Sequence, residues 1–324
     1  MQGVEGLRAI LEERIQSISF ERPPAELYNP ITYTLHSNGK RIRPVLTLIA
    51  CQMFSEKFDD AIDPAIGFEV FHNFTLLHDD IMDNAPVRRG MPTVHKKWNA
   101  NTAILSGDAM MIEAYKFVCR TPASSLGLVL DLFSDTALAV CEGQMLDMQF
   151  ETQEQVSESD YMEMIRLKTA VLLAASLKAG AIIGGANDAD ADRLYEFGIN
   201  LGLAFQLKDD WLDAFGNSQE FGKKIGGDIV ENKKTYLLIK ALERASGDEK
   251  KMLTSWLQKK EFSESEKIAS VKQIFEKLKI DEITQKKVEE YSDKAFEYLK
   301  EVQVSKDNKV ILESLGQELL GRIK

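Results

Sequence analysis

The chain carries Leu76-Leu77-His78-Asp79-Asp80-Ile81-Met82-Asp83, and a second stretch of the same form, Gln206-Leu207-Lys208-Asp209-Asp210-Trp211-Leu212-Asp213. Each is an Asp-Asp-x-x-Asp set with apolar residues before and inside it. On a helix, residues i and i+4 share a face, so Asp79 and Asp83 project one way and so do Asp209 and Asp213. Asp80 and Asp210 lie about 100° round the helix. Like charges at this spacing destabilise a helix by about 0.2–0.5 kcal/mol, and an apolar run gains nothing structural from them. Clustered carboxylates suit Mg²⁺, which takes one or two of them and completes its shell with phosphate oxygens and water. A lone acidic triplet reads equally well as a solvated helix face. Two copies in matching apolar contexts favour metal ions that hold a diphosphate.

Outward from these stretches the periodicity is helical, and no convincing strand alternation appears. Helices are expected near 5–18, 30–37, 44–57, 64–83, 100–119, 122–150, 158–168, 170–184, 189–215, 233–246, 248–259, 264–278, 281–303 and 306–322. Pro30, Pro44, Pro64 and Pro122 are read as helix starts. Residues 64–83 and 196–213 are apolar on more than one side, the mark of central helices, so both Asp sets fall near the ends of central helices. The Ala- and Gly-rich run 170–185 reads as a buried packing helix. After about residue 246, Lys and Glu dominate and the helices look amphipathic and peripheral. No linker or low-complexity tract divides the chain, so residues 1–324 are expected to form a single all-α domain.

Of the 324 residues, 44% are hydrophobic, enough for a sizeable core, and the net charge of −11 argues against nucleic-acid binding. An anionic substrate would therefore need metal ions and local basic clusters. The three cysteines, Cys51, Cys119 and Cys141, have no ligand spacing and read as small buried apolar residues in a reducing, cytoplasmic setting. The first residues carry no signal-peptide pattern, and no run approaches the ~20 apolar residues of a membrane span.

Basic residues gather at three places. Asn38-Gly39-Lys40-Arg41-Ile42-Arg43-Pro44 puts three cations at a turn and helix start, where guanidinium forks and a helix N-terminus suit phosphate, although such a quartet also occurs as plain surface. Arg88-Arg89 follows Asp83 closely. Lys224 and Lys233 flank the loop after the second Asp set, and alone would read as surface. Lys168-Thr169 ends one helical pattern, and by itself reads as a cap. His72 lies two turns before Asp79 on nearly the same face; a lone His on an apolar helix usually reads as a satisfied core residue, whereas near an anion-binding basic set it suits donation to phosphate. The loops 84–99 and 216–232, polar, Gly-bearing and basic, read as lids. No nucleophile motif, P-loop or dinucleotide fingerprint is present.

Taken together, Gly39 to Pro44, His72, Asp79 to Asp83 with Arg88-Arg89-Gly90, Gly143-Gln144-Met145-Leu146-Asp147, Lys168-Thr169, Phe205 to Asp213 and the Lys224–Lys233 segment resemble the trans-isoprenyl diphosphate synthases, the all-helical prenyltransferases. The resemblance implies a bundle of long helices around a deep cavity, commonly a homodimer. It implies head-to-tail condensation of isopentenyl diphosphate with an allylic diphosphate (dimethylallyl, geranyl or farnesyl diphosphate). Up to three Mg²⁺ ions would be held by Asp79, Asp83 and Asp209, with Asp80, Asp210 and Asp213 in support. Arg88, Lys168, Lys224 and Lys233 would face the allylic diphosphate. Gln206, Thr169 and the Lys168 backbone would shield the allylic cation. Lys40, Arg43, His72 and Arg89 would hold isopentenyl diphosphate.

Product length turns on Phe74, five residues before Asp79 and about 7.5 Å back along the helix, and on Phe71, about 12 Å back. In the family a bulky aromatic at the Phe74 position accompanies products of twenty carbons or fewer. Thr75 is not aromatic, unlike the animal and fungal farnesyl enzymes. A C15–C20 synthase, farnesyl or geranylgeranyl, is expected, although both phenylalanines also read as core. The rivals are a longer-chain synthase, a terpene cyclase, a non-catalytic regulatory subunit and a helical scaffold with acidic patches. Intact Lys40, Arg43 and Arg89 oppose the cyclase, and two complete Asp sets oppose the subunit.

Overall fold

The computed structural model describes residues 2–216 and 225–321. In chain order the elements are α1 (Val4–Gln16), α2 (Ala25–Leu35), α3 (Ile42–Phe54), α4 (Asp59–Met82), β1 (Val87–Arg88), β2 (Met91–Pro92), α5 (Val94–Lys97), α6 (Ala100–Val118), α7 (Leu126–Thr152) and α8 (Glu158–Ile165). A π-helical turn, Arg166–Ala170, leads into α9 (Val171–Ile183) and α10 (Asp188–Phe215). Then follow α11 (Gly227–Val230), α12 (Tyr236–Arg244), α13 (Gly247–Gln258), α14 (Glu264–Lys277), α15 (Ile280–Glu301) and α16 (Lys306–Leu320). The chain is all-α apart from the β1–β2 hairpin among the described residues, and none of the described helices is long and apolar enough to cross a membrane.

The residues fall into two compact units. The first comprises Met1–Ala137, Leu172–Tyr195 and Glu301–Leu315. Its centre is α4, buried on every side by Ala65, Phe68, Phe71 and Leu77 among others, and packed against α3 and α6. Burying one such Leu or Phe contributes about 1.5–3 kcal/mol, so α4 needs no polar face. In α9, Ala174, Ala175, Ala179 and Ala181 are fully buried, as expected for a packing helix. The second unit comprises Leu138–Val171, Glu196–Lys300 and Gly316–Lys324. Leu237, Leu238, Leu253, Val271 and Phe275 form a core there with Ala214 of α10. In α15 the buried Ile280, Thr284, Val288, Ala295 and Leu299 keep one face, the amphipathic pattern expected of the tail.

Three expectations are corrected. Pro30 and Pro64 do not open their helices but lie inside α2 and α4. Each removes one backbone hydrogen bond. Both prolines are buried, and Glu26, Asp59 and Asp60 complement the positive helix ends in the first turns. The segment after the first Asp set contains strands: Val87 pairs with Pro92 and Arg88 with Met91. Strands of two residues carry no alternation to read. Arg89 and Gly90 between them both have positive φ, 53° and 77°, as a two-residue I′ hairpin turn requires. Of the cysteines only Cys51 is buried. Cys119 follows the last buried residue of α6, Val118, and Cys141 lies beside exposed Glu142 on the outer side of α7.

Candidate active site: two acidic helix ends and a cationic cluster

The first Asp set closes α4. Asp83 is the C-cap, its N–H donating to the Asp79 carbonyl at 2.8 Å. Asp80 is 5% exposed and accepts from Arg88 Nε at 2.7 Å. Burial raises the Asp80 carboxyl above its ordinary value, and Arg88 pulls it back. Asp79 is half-buried and Asp83 exposed.

The second set lies in the last turns of α10 in the second unit. Asp210 is pushed up to about 7 by burial, with Asp228 adding repulsion, while Tyr161, Gln206 and Lys233 oppose. The Tyr161 hydroxyl donates to Asp210 Oδ2 and Gln206 Nε2 donates to Oδ1 at 3.1 Å. Thr169 Oγ1 donates to Gln206 Oε1 at 3.1 Å, so the two residues expected at the allylic cation meet. Asp213 Oδ2 accepts the Asp228 N–H at 3.1 Å, and Asp209 is half-buried. The π-helical turn presents Lys168 and Thr169, and Lys168 Nζ donates to Asp147 Oδ2 at 2.6 Å. Gly143 of α7 makes this approach possible: a Cβ there would stand 2.4 Å from the Lys168 nitrogen. Lys208 turns away from the carboxylates and donates to the Leu320 carbonyl. Lys233 is exposed at the end of the second loop, and Lys224 lies outside the described residues.

Both sets occupy helix C-terminal turns, where the macrodipole is negative and opposes carboxylates. Repulsion, burial and dipole all favour a cation at these two ends. Hard oxygen donors of this kind fit Mg²⁺. Among the described residues no three His, Cys, Asp or Glu side chains form a metal group by themselves.

A cationic cluster belongs to the first unit. Arg43 Nε is buried and has no hydrogen-bond partner among the described residues. Burial, with Arg89 adding repulsion, lowers Arg43 to about 10. His72 is held well below its ordinary value by burial and by Arg43, Arg89, Arg88 and Arg41, and is therefore neutral. Arg43 and Arg89 thus lie close enough to His72 to act on its charge. Lys40 stands exposed on the turn before α3. Arg41, part of the same basic run, is spent on structure: it pairs with Glu12 at 2.8 Å and with Glu69 at 2.9 Å.

Phe74 is 7% exposed and Phe71 fully buried. Phe74 rests edge-on against His78, centroids 4.8 Å apart, and beside Phe71 at 5.5 Å. Phe71 packs on Phe133, so it backs Phe74 from the core. Thr75 Oγ1 turns back to the His72 carbonyl. The sequence reading omitted Tyr161, Asp228, Glu69, Asn73 and Ser37. Tyr161, Asp228, Asn73 and Ser37 bond to Asp or Arg candidates 15 to 52 residues away in the chain, and Glu69 bonds to Arg41 and Asn73; only the fold shows these pairs.

Residues 24–278 match the model of the polyprenyl synthetase family. The geranylgeranyl diphosphate synthase of Methanosarcina mazei is 41% identical over 68% of this chain and 69% of its own length. That of Sulfolobus acidocaldarius is 38% identical over 87% and 86%. A solved geranylgeranyl pyrophosphate synthase, 44% identical, superposes over 100% of both chains with a TM-score of 0.95. With the family pattern spanning most of the sequence and the same all-α architecture over the whole of it, the chain belongs to the polyprenyl synthetase family.

Proposed function

We propose that this isoprenyl diphosphate synthase is a trans-prenyltransferase that condenses isopentenyl diphosphate head-to-tail with allylic diphosphates to give the C20 product, geranylgeranyl diphosphate. The reading rests on an acidic helix end in each unit and on a cationic cluster of the first unit, where buried Arg43 Nε has no hydrogen-bond partner among the described residues. One diphosphate would enter with metal ions and the other without.

Asp79, Asp83 and Asp209 would hold up to three Mg²⁺ ions, supported by Asp80, Asp210 and Asp213. Bound there, Mg²⁺ neutralises the charge that builds on the leaving diphosphate. Arg88, Lys168, Lys224 and Lys233 add positive charge to the same group. The allylic C–O bond breaks and leaves an allylic cation. The Thr169 hydroxyl and the Gln206 amide, already bonded to each other at 3.1 Å, present oxygen dipoles to that cation. Lys40, Arg43, His72 and Arg89 orient isopentenyl diphosphate so that its double bond attacks the cation. A proton then leaves the new C–C unit to the departing diphosphate, and the alkene is restored. Phe74, backed by Phe71 and flanked by Thr75, would end the space for the growing chain.

A homodimer is part of this reading. On α6, Ile104, Leu105 and Ile112 are 42%, 59% and 60% exposed, and Leu128 of α7 is 60% exposed. Such apolar faces are commonly covered by a partner, and a second copy would cover them. A solution mass of one chain would contradict this. The free cysteines fit a reducing cytoplasmic setting. Turnover with Mg²⁺, isopentenyl diphosphate and an allylic starter tests the whole reading.

A further inference from the structure

Five residues of the first unit close a hydrogen-bonded ring that runs through four side chains and both the hydroxyl and the carbonyl of Ser37. Arg41 Nη1 donates to Glu69 Oε1 at 2.9 Å, and Asn73 Nδ2 donates to the same oxygen at 3.0 Å. Asn73 Oδ1 accepts from Arg89 Nη1 at 3.4 Å, and Arg89 Nη1 also donates to Ser37 Oγ at 3.0 Å. The Ser37 carbonyl accepts from Arg41 Nη2 at 3.1 Å and completes the circuit. The ring joins the turn before α3, the middle of α4 and the tip of the β1–β2 hairpin.

Three observations show that the ring is built rather than incidental. Glu69 is 2% exposed, Arg41 2% and Asn73 0%, and buried polar groups persist when they satisfy one another. Arg41 and Arg89 both hold left-handed backbone, φ 48° and 53°, a conformation that is strained for a residue with a side chain unless its surroundings impose it. The two guanidinium groups meet over Gly39, where a Cβ would stand 3.1 Å from Arg89 Nη1 and 3.3 Å from Arg41 Nη1.

Glu69 is the informative member. A carboxylate beside a site proposed for an anion weakens binding by its charge alone. Its place there is explained if it organises the cations. It fixes Arg41, the N-cap of α3, between Lys40 and the first turn of α3 that carries Arg43, and through Asn73 it fixes Arg89.

We propose that Glu69, Asn73 and Ser37 are positioning residues for the isopentenyl diphosphate site, holding Arg89 and the Lys40–Arg43 turn in place before the substrate arrives. This rests on the isopentenyl-binding role proposed above for Lys40, Arg43, His72 and Arg89. The ring touches neither Asp set through Glu69 or Asn73, so its effect falls on one substrate.

The test is steady-state kinetics on Ser37→Ala, Asn73→Leu and Glu69→Gln, with KM measured separately for isopentenyl diphosphate and for the allylic starter, and with Tm recorded for each variant. Ser37→Ala and Asn73→Leu are expected to raise KM for isopentenyl diphosphate by about tenfold and to move the allylic KM by less than about twofold. Ser37→Thr keeps the acceptor oxygen and is expected to restore the wild-type KM. Ser37→Ala is the mildest change, so the result stands even where Asn73→Leu folds poorly. Equal changes in both KM values, or a lowered Tm with both unchanged, would overturn the proposal. A lower isopentenyl KM in Glu69→Gln would also overturn it, since Glu69 would then act only through its charge. Absence of turnover in the wild-type chain would remove the functional reading and this inference together, whereas wild-type turnover with unaltered variants removes the inference alone.

Discussion

The Tyr161 hydroxyl donates to the carboxylate of Asp210, joining α8 to the second Asp set from a position 49 residues away in the chain. Both groups are buried, at 2% and 6% exposure. Burial and the adjacent Asp210 raise the Tyr161 phenol well above its ordinary value, so it remains a donor throughout the working pH range. A hydrogen bond to a charged group contributes about 1.5–3 kcal/mol. Tyr161→Phe is therefore expected to lower kcat by about tenfold or more and to raise the Mg²⁺ concentration needed for half-maximal rate. The KM for isopentenyl diphosphate should stay as in wild type. An unchanged kcat and Mg²⁺ profile would show that Tyr161 is only a core residue.

His72 gives the fold a pH dependence whose sign follows from its surroundings. Its folded pKa lies well below the ordinary 6.5 because of burial and the arginines Arg43, Arg89, Arg88 and Arg41. The unfolded chain takes up a proton as pH falls through about 6.5, and the folded chain does not. The His72 contribution to stability is therefore complete above pH 6.5 and is lost as pH falls below it. The limiting slope is about 1.4 kcal/mol per pH unit. Melting curves from pH 8 to pH 5.5 should show a steeper acid loss in wild type than in His72→Gln. Parallel curves would mean that His72 is not held neutral.

Phe74 and Phe71 separate two roles that the sequence leaves together. Phe71 is fully buried against Phe133, whereas Phe74 keeps 7% exposure and leans on His78. Phe74→Ala is expected to shift products beyond C20. Phe71→Ala should mainly cost stability, about 3–5 kcal/mol for a buried phenylalanine. Mass spectrometry of the products and Tm of both variants decide the matter. Unchanged product length in Phe74→Ala would exclude it as the end of the cavity.

The legible parts of the molecule were those written in local spacing. The Asp-x-x-x-Asp pairs, the apolar faces of 64–83 and 196–213, and the Ala-rich packing helix all follow from i, i+4 geometry. Asp79–Asp83 and Asp209–Asp213 do end central helices. The parts not legible depend on distant partners. Arg41 looks like one more surface cation until its pairing with Glu12 and Glu69 is seen. Tyr161 looks like an ordinary apolar-face residue of α8. Pro30 and Pro64 mislead because the rule for proline at a helix start is statistical, and burial with acidic first turns outweighs one lost hydrogen bond. The β1–β2 hairpin is too short to show a period.

A chain that makes a C20 prenyl diphosphate with metal-held carboxylates yields geranylgeranyl diphosphate only while Mg²⁺ is available. The most direct test incubates the purified chain with Mg²⁺, isopentenyl diphosphate and, in turn, dimethylallyl, geranyl and farnesyl diphosphate, with and without a chelator, and reads product length by mass spectrometry. The account predicts geranylgeranyl diphosphate as the longest product from each starter and no product with the chelator. No product from any starter in the presence of Mg²⁺ would contradict it.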